Sequence, residues 1–408
     1  MNSRKGFTLI ELLIVIGILA ILSVSLLLLL NPITFITRSR DGVRVSGLDT
    51  INELIQLYRI RNDSLGGSAQ TVYVSLPDSS PICANQTLPK LPSGWVYACK
   101  PQSDYRKIDG TGWIPINFTL SDIHKMSVLP IDQTNTTASG LYHAYVTDPV
   151  SKTWVLTTLL ESDRDLKEIA RKDGGTDDAR YETGTNLALW VEASGLTAYW
   201  PFDEGAGSTA YDASGHGYNA TAPVGKTFPT WVDGIFNKGL NFTATTHLVE
   251  ASYAAFDLIP SDSFSIVAWV KPQDVNNRQK IIFKGSSLFG IAVHDNGPGS
   301  DERGIAWQVQ IGGTGWGGNT TSFLDNNYDE WAHFVLTSDK DNTSFKAYLN
   351  GNLMANPPPT GGVGEMFSDP VSIGDPVTDP RNQIIDEARV YNRELSEKEI
   401  SAMYKAGK

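Results

Sequence analysis

Arg4-Lys5-Gly6-Phe7-Thr8-Leu9-Ile10-Glu11 opens the reading of this chain. Two cations and a glycine lead into a long apolar run, and one carboxylate stands just inside it. From position 12 to 30 the residues are almost all Leu, Ile and Val, relieved by Gly17, Ala20, Ser23 and Ser25. With positions 7–10 added, the run is long enough to span a ~30 Å hydrocarbon core as a helix. Arg4 and Lys5 hold this end on the cytoplasmic side by the positive-inside rule. An acid buried in a membrane span costs about 2.5–3.5 kcal/mol on insertion scales, so Glu11 calls for a partner. A secretory signal peptide would end its apolar core at a small-residue cleavage site. Ser23-Val24-Ser25 is the nearest candidate, but five leucines follow it. A plain single-span anchor explains the length and the basic flank but not Glu11.

Arg-Lys-Gly-Phe-Thr-Leu-Ile-Glu-Leu-Leu-Ile-Val-Ile, at positions 4–16, resembles the N-terminus of a type IV prepilin or pseudopilin. The resemblance implies a prepilin peptidase that cuts after Gly6 and N-methylation of the new amino terminus, Phe7. It also implies that Glu11, at the fifth mature position, pairs with the amine of Phe7 on a neighbouring subunit. Pairing relieves each charge of its lone burial penalty and favours assembly. The partners so implied are the peptidase, other pilin subunits and the inner membrane. Residues 1–6 are then the leader and 7–30 the transmembrane and filament-core helix.

Residues 31–66 continue as an amphipathic helix. Asn31-Pro32 is a kink point, because proline lacks a backbone donor and clashes with the preceding turn. Beyond it Leu48, Ile51, Ile55 and Tyr58, with Leu54 alongside, recur at helical spacing. Arg38, Arg40, Asp41 and Arg44 read as a solvated face, and Gly66-Gly67 as the stop. Residues 67–195 read as a small β head, with strands around Thr71-Val72-Tyr73-Val74, Gly94-Trp95-Val96-Tyr97, Leu141–Val146 and Thr153–Thr157, the last two forming a hairpin. A long helix packed on such a head is also the pilin pattern. Cys83 and Cys99 are the only cysteines, and an exported domain pairs them as a disulfide contributing roughly 3 kcal/mol. Positions 172–178, with three carboxylates and two glycines, read as a solvated loop at the end of the head.

Near Leu196 the texture changes to short alternating strands between Gly, Asn and Asp turns, the mark of an all-β sandwich or barrel over 196–408. Asn350-Gly351 is a strong hairpin turn signal. Ser396 and Glu399 make a capping box that starts a short helix through Tyr404. Ala198-Tyr199-Trp200-Pro201-Phe202-Asp203-Glu204-Gly205, Asp212-Ala213-Ser214-Gly215-His216-Gly217, positions 264–270, Trp331-Ala332-His333 with Tyr348-Leu349-Asn350-Gly351, and positions 385–393 follow one another in order. Together they resemble a laminin-G-like, concanavalin A-like jelly roll. Many such domains hold a structural calcium through acidic side chains and carbonyls. Here the resemblance points to Asp203 and Asp386, backed by Asp212 and Asn219, although strand termination explains Asp203 and Asp386 as well. Oxygen donors of this kind suit calcium rather than zinc. For a carbohydrate ligand the candidates are Trp316 and Asn319, in the glycine loop 312–319, and the polar loop with Asp295 and Asn296. Trp307, within an alternating strand, reads as core.

Polysaccharide cleavage requires two carboxylates facing one groove. The glucanase strand motif, Glu-x-Asp followed by a second Glu, is absent from positions 196–408, and no Ser/His/Asp or zinc-protease pattern appears. The expectation is no enzyme. A net charge of −12 argues against a nucleic-acid partner. The fold class expected is an α+β pilin followed by an all-β jelly roll. The chain reads as a pilin-like filament subunit, anchored in the cytoplasmic membrane with its C-terminal region outside, that displays a lectin-like domain for adhesion to glycans or cell surfaces. The alternatives are a pseudopilin of a secretion or uptake system whose sandwich recognises cargo, and an anchored glycan hydrolase.

Overall fold

The computed structural model describes residues 9–30, 32–62, 65–92, 94–120, 126–243, 247–252, 263–273, 279–284, 289–295, 303–311, 314–320, 329–339, 345–355, 370–374 and 383–407. Helix α1 runs Leu9–Leu30 and helix α2 runs Pro32–Arg61. The interruption expected at Asn31-Pro32 falls at this boundary, with Pro32 at the first helical position, where its missing N–H costs nothing. At 1.5 Å per residue, α1 is about 33 Å long. Its side chains are described through Leu19, and all of them are exposed. Among the described residues, no helix is long and apolar enough to cross a membrane.

The lower part of α2 does the packing. Leu48, Ile51, Leu54 and Ile55 are buried against Trp113, Ile114, Tyr145, Trp154 and Leu156. The sheet they cover has the strand order Val96–Lys100, Thr71–Pro77, His143–Asp148, Thr153–Leu159 and Arg180–Gly184. The first pair is parallel and the others are antiparallel. Cys83 and Cys99 are joined by a disulfide, with Cα atoms 5.2 Å apart.

Two polar segments differ from expectation. Asp41 and Arg44 do not face solvent; both are buried. Arg44 contacts Asp41 at 2.6 Å, Glu161 at 2.7 Å and Asp132, while Arg40 also bonds Glu161 at 2.7 Å. Asp41 accepts the backbone N–H groups of Glu161 and Ser162. Positions 41, 44, 48, 51 and 55 lie on one helical face, so the charges extend the apolar stripe into the interior. The loop at 172–178 is also built in. It wraps Glu182, which is 2 % exposed and accepts the N–H groups of Thr176 and Asp177. Asp173 accepts the N–H groups of Gly175 and Glu182.

Two short helices complete this unit: α3, Asp163–Glu168, capped by the Ser162 hydroxyl and inserted before the sheet's last strand, and α4, Ala188–Ser194, after it. Gly195 ends α4 with φ of 74°, and the next residue begins strand Leu196–Trp200. The boundary at 195/196 is therefore a single glycine. A Cβ there would collide with Asn392 Oδ1 and crowd Arg393 and Pro92.

The rest is a sandwich of two mostly antiparallel sheets. One has the order Asn352–Ala355, Phe345–Leu349, Ala332–Ser338, Phe264–Pro272, Gln383–Tyr391, Lys238–Phe242, Thr230–Asp233, with Leu196–Trp200 also pairing Gln383–Tyr391. The facing sheet runs from Thr314–Thr320 through Arg303–Ile311, Phe289–Asp295, Gln279–Lys284, Val371–Ile373 and Val249–Ala251 to the short strands at Ala220–Thr221 and Thr209–Ala210. Between them lies a core that includes Trp200, Phe202, Phe264, Phe334 and Ile385. Helix α5, Glu397–Gly407, starts at the expected capping box: Ser396 N donates to Glu399 Oε2 at 2.8 Å, and Glu399 N donates back to Ser396 Oγ at 3.4 Å.

Candidate functional site

Strand Gln383–Tyr391 carries the chemistry of the sandwich. A bulge opposite Val267–Trp269 breaks its register, and Glu387 takes a positive φ of 54°. A bulge bends the strand and re-aims the residues around it. Asp386 and Glu387, adjacent in sequence, are both buried and serve different neighbours. Asp386 Oδ2 accepts the N–H groups of Ile235, at 2.9 Å, and Phe236, at 3.2 Å. Asp203 accepts from Lys238 N and Asn237 Nδ2 on the same loop. Burial, then the charge of Glu387, and the charge of Asp203 push the Asp386 carboxyl up to about 9. Gly234 sits against this cluster: a side chain there would collide with Lys238 O, Phe236 O and Asp386 Oδ2.

The other two expected calcium ligands do different work. Asp212 accepts the N–H groups of Tyr199, Ser214 and Tyr218, and its own N–H donates to Asn219 Oδ1. They hold the turn around Ser214 rather than joining Asp203 and Asp386 in the 234–238 loop. Among the described residues, no group of three or more His, Cys, Asp or Glu side chains is placed to hold a metal ion. The oxygens beside Gly234 form a mixed set, a buried carboxylate with two carbonyls, and such a set fits a calcium ion chemically.

Glu387 points to the other domain. Its Oε2 accepts from Tyr199 OH at 2.8 Å and from Arg389 at 2.6 Å, and Arg389 also bonds Asp178 at 2.6 Å. Arg389 lies over the Tyr199 ring. Arg171, after α3, reaches both Asp178 and Glu387 at 3.8 Å. Arg393 donates to the Ser194 carbonyl and grips Glu399 with two hydrogen bonds of 2.7 and 3.1 Å. Burial pushes the Glu399 carboxyl up, but the Arg393 charge and hydrogen bonds, with those from Ser396, outweigh it and hold it at about 2. Apolar packing joins in: Ala402 meets Leu141 and Leu159, and Ala406 meets Leu160 and Leu166. The sequence reading missed this junction. Its trace was the period-2 spacing of Glu387, Arg389, Tyr391 and Arg393, in and just beyond a strand otherwise rich in apolar residues.

The candidate sugar-contacting residues are not brought together. The glycine loop expected at 312–319 is largely a strand, Thr314–Thr320, paired antiparallel with Arg303–Ile311. Glycines leave the ladder hydrogen bonds intact, so the run pairs despite its composition. Trp316 stands opposite Val309 and Asn319 opposite Ala306, and two positions three apart alternate to opposite faces. Asp295 ends strand Phe289–Asp295, paired with Arg303, and Asn296 lies outside the described residues. Gly6 and Phe7 also lie outside them, whereas Glu11 is on the exposed surface of α1.

Two family models match the chain: the prokaryotic N-terminal methylation motif over residues 1–27, and the concanavalin A-like lectin/glucanases superfamily over residues 243–401. The chain joins a prepilin-type methylation motif to a concanavalin A-like domain. In the fold that domain starts earlier than the matched span, because Leu196–Trp200 and Lys238–Phe242 belong to its sheets. Among solved structures it is similar to the binding domain of Paraclostridial Mosquitocidal Protein 1 (15 % identity, 52 % of each chain, TM-score 0.43). It is also similar to the botulinum neurotoxin serotype G binding domain (17 % identity, 51 % of this chain and 50 % of that one, TM-score 0.42). A third is domain 4 of AbnA, a GH43 extracellular arabinanase from Geobacillus stearothermophilus, in complex with arabinotriose (18 % identity, 51 % and 97 %, TM-score 0.40). The chain spans about half the length of the two toxin binding domains. No curated protein matches it.

Proposed function

We propose that this chain is a pilin-like surface protein whose concanavalin A-like domain binds glycans or receptors on other surfaces, without catalysing a reaction. Gly6 is the processing site, Phe7 the modified amino terminus and Glu11 the assembly contact. The apolar run 7–30, which includes helix α1, anchors the protein in the membrane and lies in the filament core when assembled. The observation that carries the reading is the packing of α5: Ala402 and Ala406 of the sandwich share apolar clusters with Leu141, Leu159 and Leu160 of the helix-bearing unit. A domain built into the spine transmits the load on a bound surface to the anchor. The test is a comparison of cells carrying the native chain, Gly6→Val or Glu11→Gln. Both variants should leave the protein in the membrane, remove it from sheared filaments and abolish adherence to glycan-coated surfaces. Undiminished adherence by both would end the reading.

A second role rests on the oxygens beside Gly234. We propose that Asp386, Asp203 and the carbonyls of Phe236 and Lys238 hold a structural calcium ion. Bound there, the ion supplies the positive charge that this buried carboxylate otherwise lacks.

A further inference from the structure

A cleft of about 740 Å³ opens where α3 and the turn after it face the sandwich loops. That volume suits a bound oligosaccharide segment or small ligand. Its wall on the helix-bearing side presents Lys167, Arg171 and Lys172. Its wall on the sandwich side presents Trp331 and Tyr404, both partly exposed. The lining holds three cations and one carboxylate, Glu330, in a chain whose net charge is −12. The local sign is thus opposite to that of the whole molecule.

The cations are differently committed. Lys172 forms an exposed pair with Glu168 at 2.9 Å, which a ligand anion can replace at little cost. Arg171 lies over the Phe236 ring and stands 3.8 Å from Asp178 and Glu387, so it is held in place. Lys167 is exposed one helical turn before Arg171. On the aromatic wall, Tyr404 is backed by other rings. Tyr404 stacks on Trp269 at 5.8 Å, and buried His333 packs behind both rings. Burial, and then the charge of Arg389, hold the His333 imidazole down at about 3, so the positive charge comes from the lysines and Arg171.

We propose that this cleft binds an acidic oligosaccharide, with sugar rings against Trp331 and Tyr404 and carboxylate or sulfate groups on Lys167 and Lys172. Aromatic faces take the apolar faces of sugars, and ammonium groups take the anions. The overall negative charge disfavours a long polyanion such as DNA. The inference rests on the reading of the sandwich as a binding domain and adds the ligand class. It also makes the site a property of both units, because neither supplies both walls.

The test uses the full chain in detergent micelles, titrated with oligogalacturonate, a heparin-derived oligosaccharide, cellohexaose and single-stranded DNA of similar length. Binding of one or both acidic oligosaccharides, falling at least tenfold between 50 and 500 mM salt on the order expected for several ionic contacts, is the expected result. Lys167→Ala with Lys172→Ala should weaken it about tenfold or more, a change of roughly 1.4 kcal/mol. Trp331→Ala should do the same, and Lys107→Ala should change nothing. Which acidic sugar binds distinguishes carboxylate from sulfate recognition. Binding of cellohexaose alone, or acidic-sugar binding indifferent to all three cleft substitutions, overturns the cleft assignment while the binding-domain reading stands. Preference for DNA overturns the ligand class. Binding of no glycan overturns both.

Discussion

The joint between α2 and its sheet and the joint between that unit and the sandwich both centre on buried arginines, yet they are reached by different routes. In the first, Arg44 lies on a helical stripe with Leu48, Ile51 and Ile55, and the helix period delivers it to Asp132 and Glu161. In the second, Arg389 comes from a bulged strand and Arg393 from the turn just after it, and their partners Asp178 and Ser194 lie about 200 residues earlier in the chain. At the first joint local periodicity places only the arginine, since Asp132 and Glu161 come from loops 88 and 117 residues further on. A joint set by long-range register depends on a few backbone positions, Gly195 first among them.

The largest effect should come from the first joint. Arg44→Ala leaves buried Asp41 and Asp132 without their cation, and stranding carboxylates in this way costs about 3–5 kcal/mol. Denaturant unfolding should show the loss, and a change under 1 kcal/mol would mean the cluster is not closed to water. At the second joint, the depressed Glu399 carboxyl stabilises the fold. Its ordinary value is 4.5 and its folded value about 2. The contribution, about 3 kcal/mol at most, is complete above pH ~4.5 and is lost as the pH falls toward ~2. Glu399→Gln should flatten the stability profile over that window, and an unchanged profile would exclude Glu399 as its source.

Gly195→Ala comes next. It forces a side chain into left-handed backbone and against Asn392, for about 2 kcal/mol. Hydrogen exchange should rise along α4 and α5 while α2 stays protected; equal loosening of both would merge the two joints into one cooperative unit. The smallest effect concerns the sandwich alone. Calcium at about ten times its Kd should raise its melting temperature by about 4 °C, and Asp386→Asn should remove the gain. A chelator-insensitive melting curve in the native chain would reject the ion.

Much of the architecture was readable because it is written in short periods. The apolar run after Arg4-Lys5, the stripe at Leu48, Ile51 and Ile55, the capping box at Ser396 and the alternating strands all depend on neighbours a few residues apart. What depended on distant partners was misread. Asp41 and Arg44 looked solvated because nothing local shows Asp132 and Glu161 closing over them. The glycines around Trp316 signal a loop by composition, yet an adjacent strand recruits their backbone. Among the metal candidates, Asp203 and Asp386 converge on one loop, whereas Asp212 and Asn219 are spent on a turn. The lysines opposite Trp331 drew no notice because a cleft between two domains has no signature in either one.

The single-residue passage at Gly195 has a mechanical consequence. With no tether between spine and sandwich, the cleft keeps one compass bearing relative to the axis of the lower part of α2. In any array organised by that helix, the cleft mouths would repeat with the symmetry of the array, so grip on a flat surface would depend on which side of the array faces it.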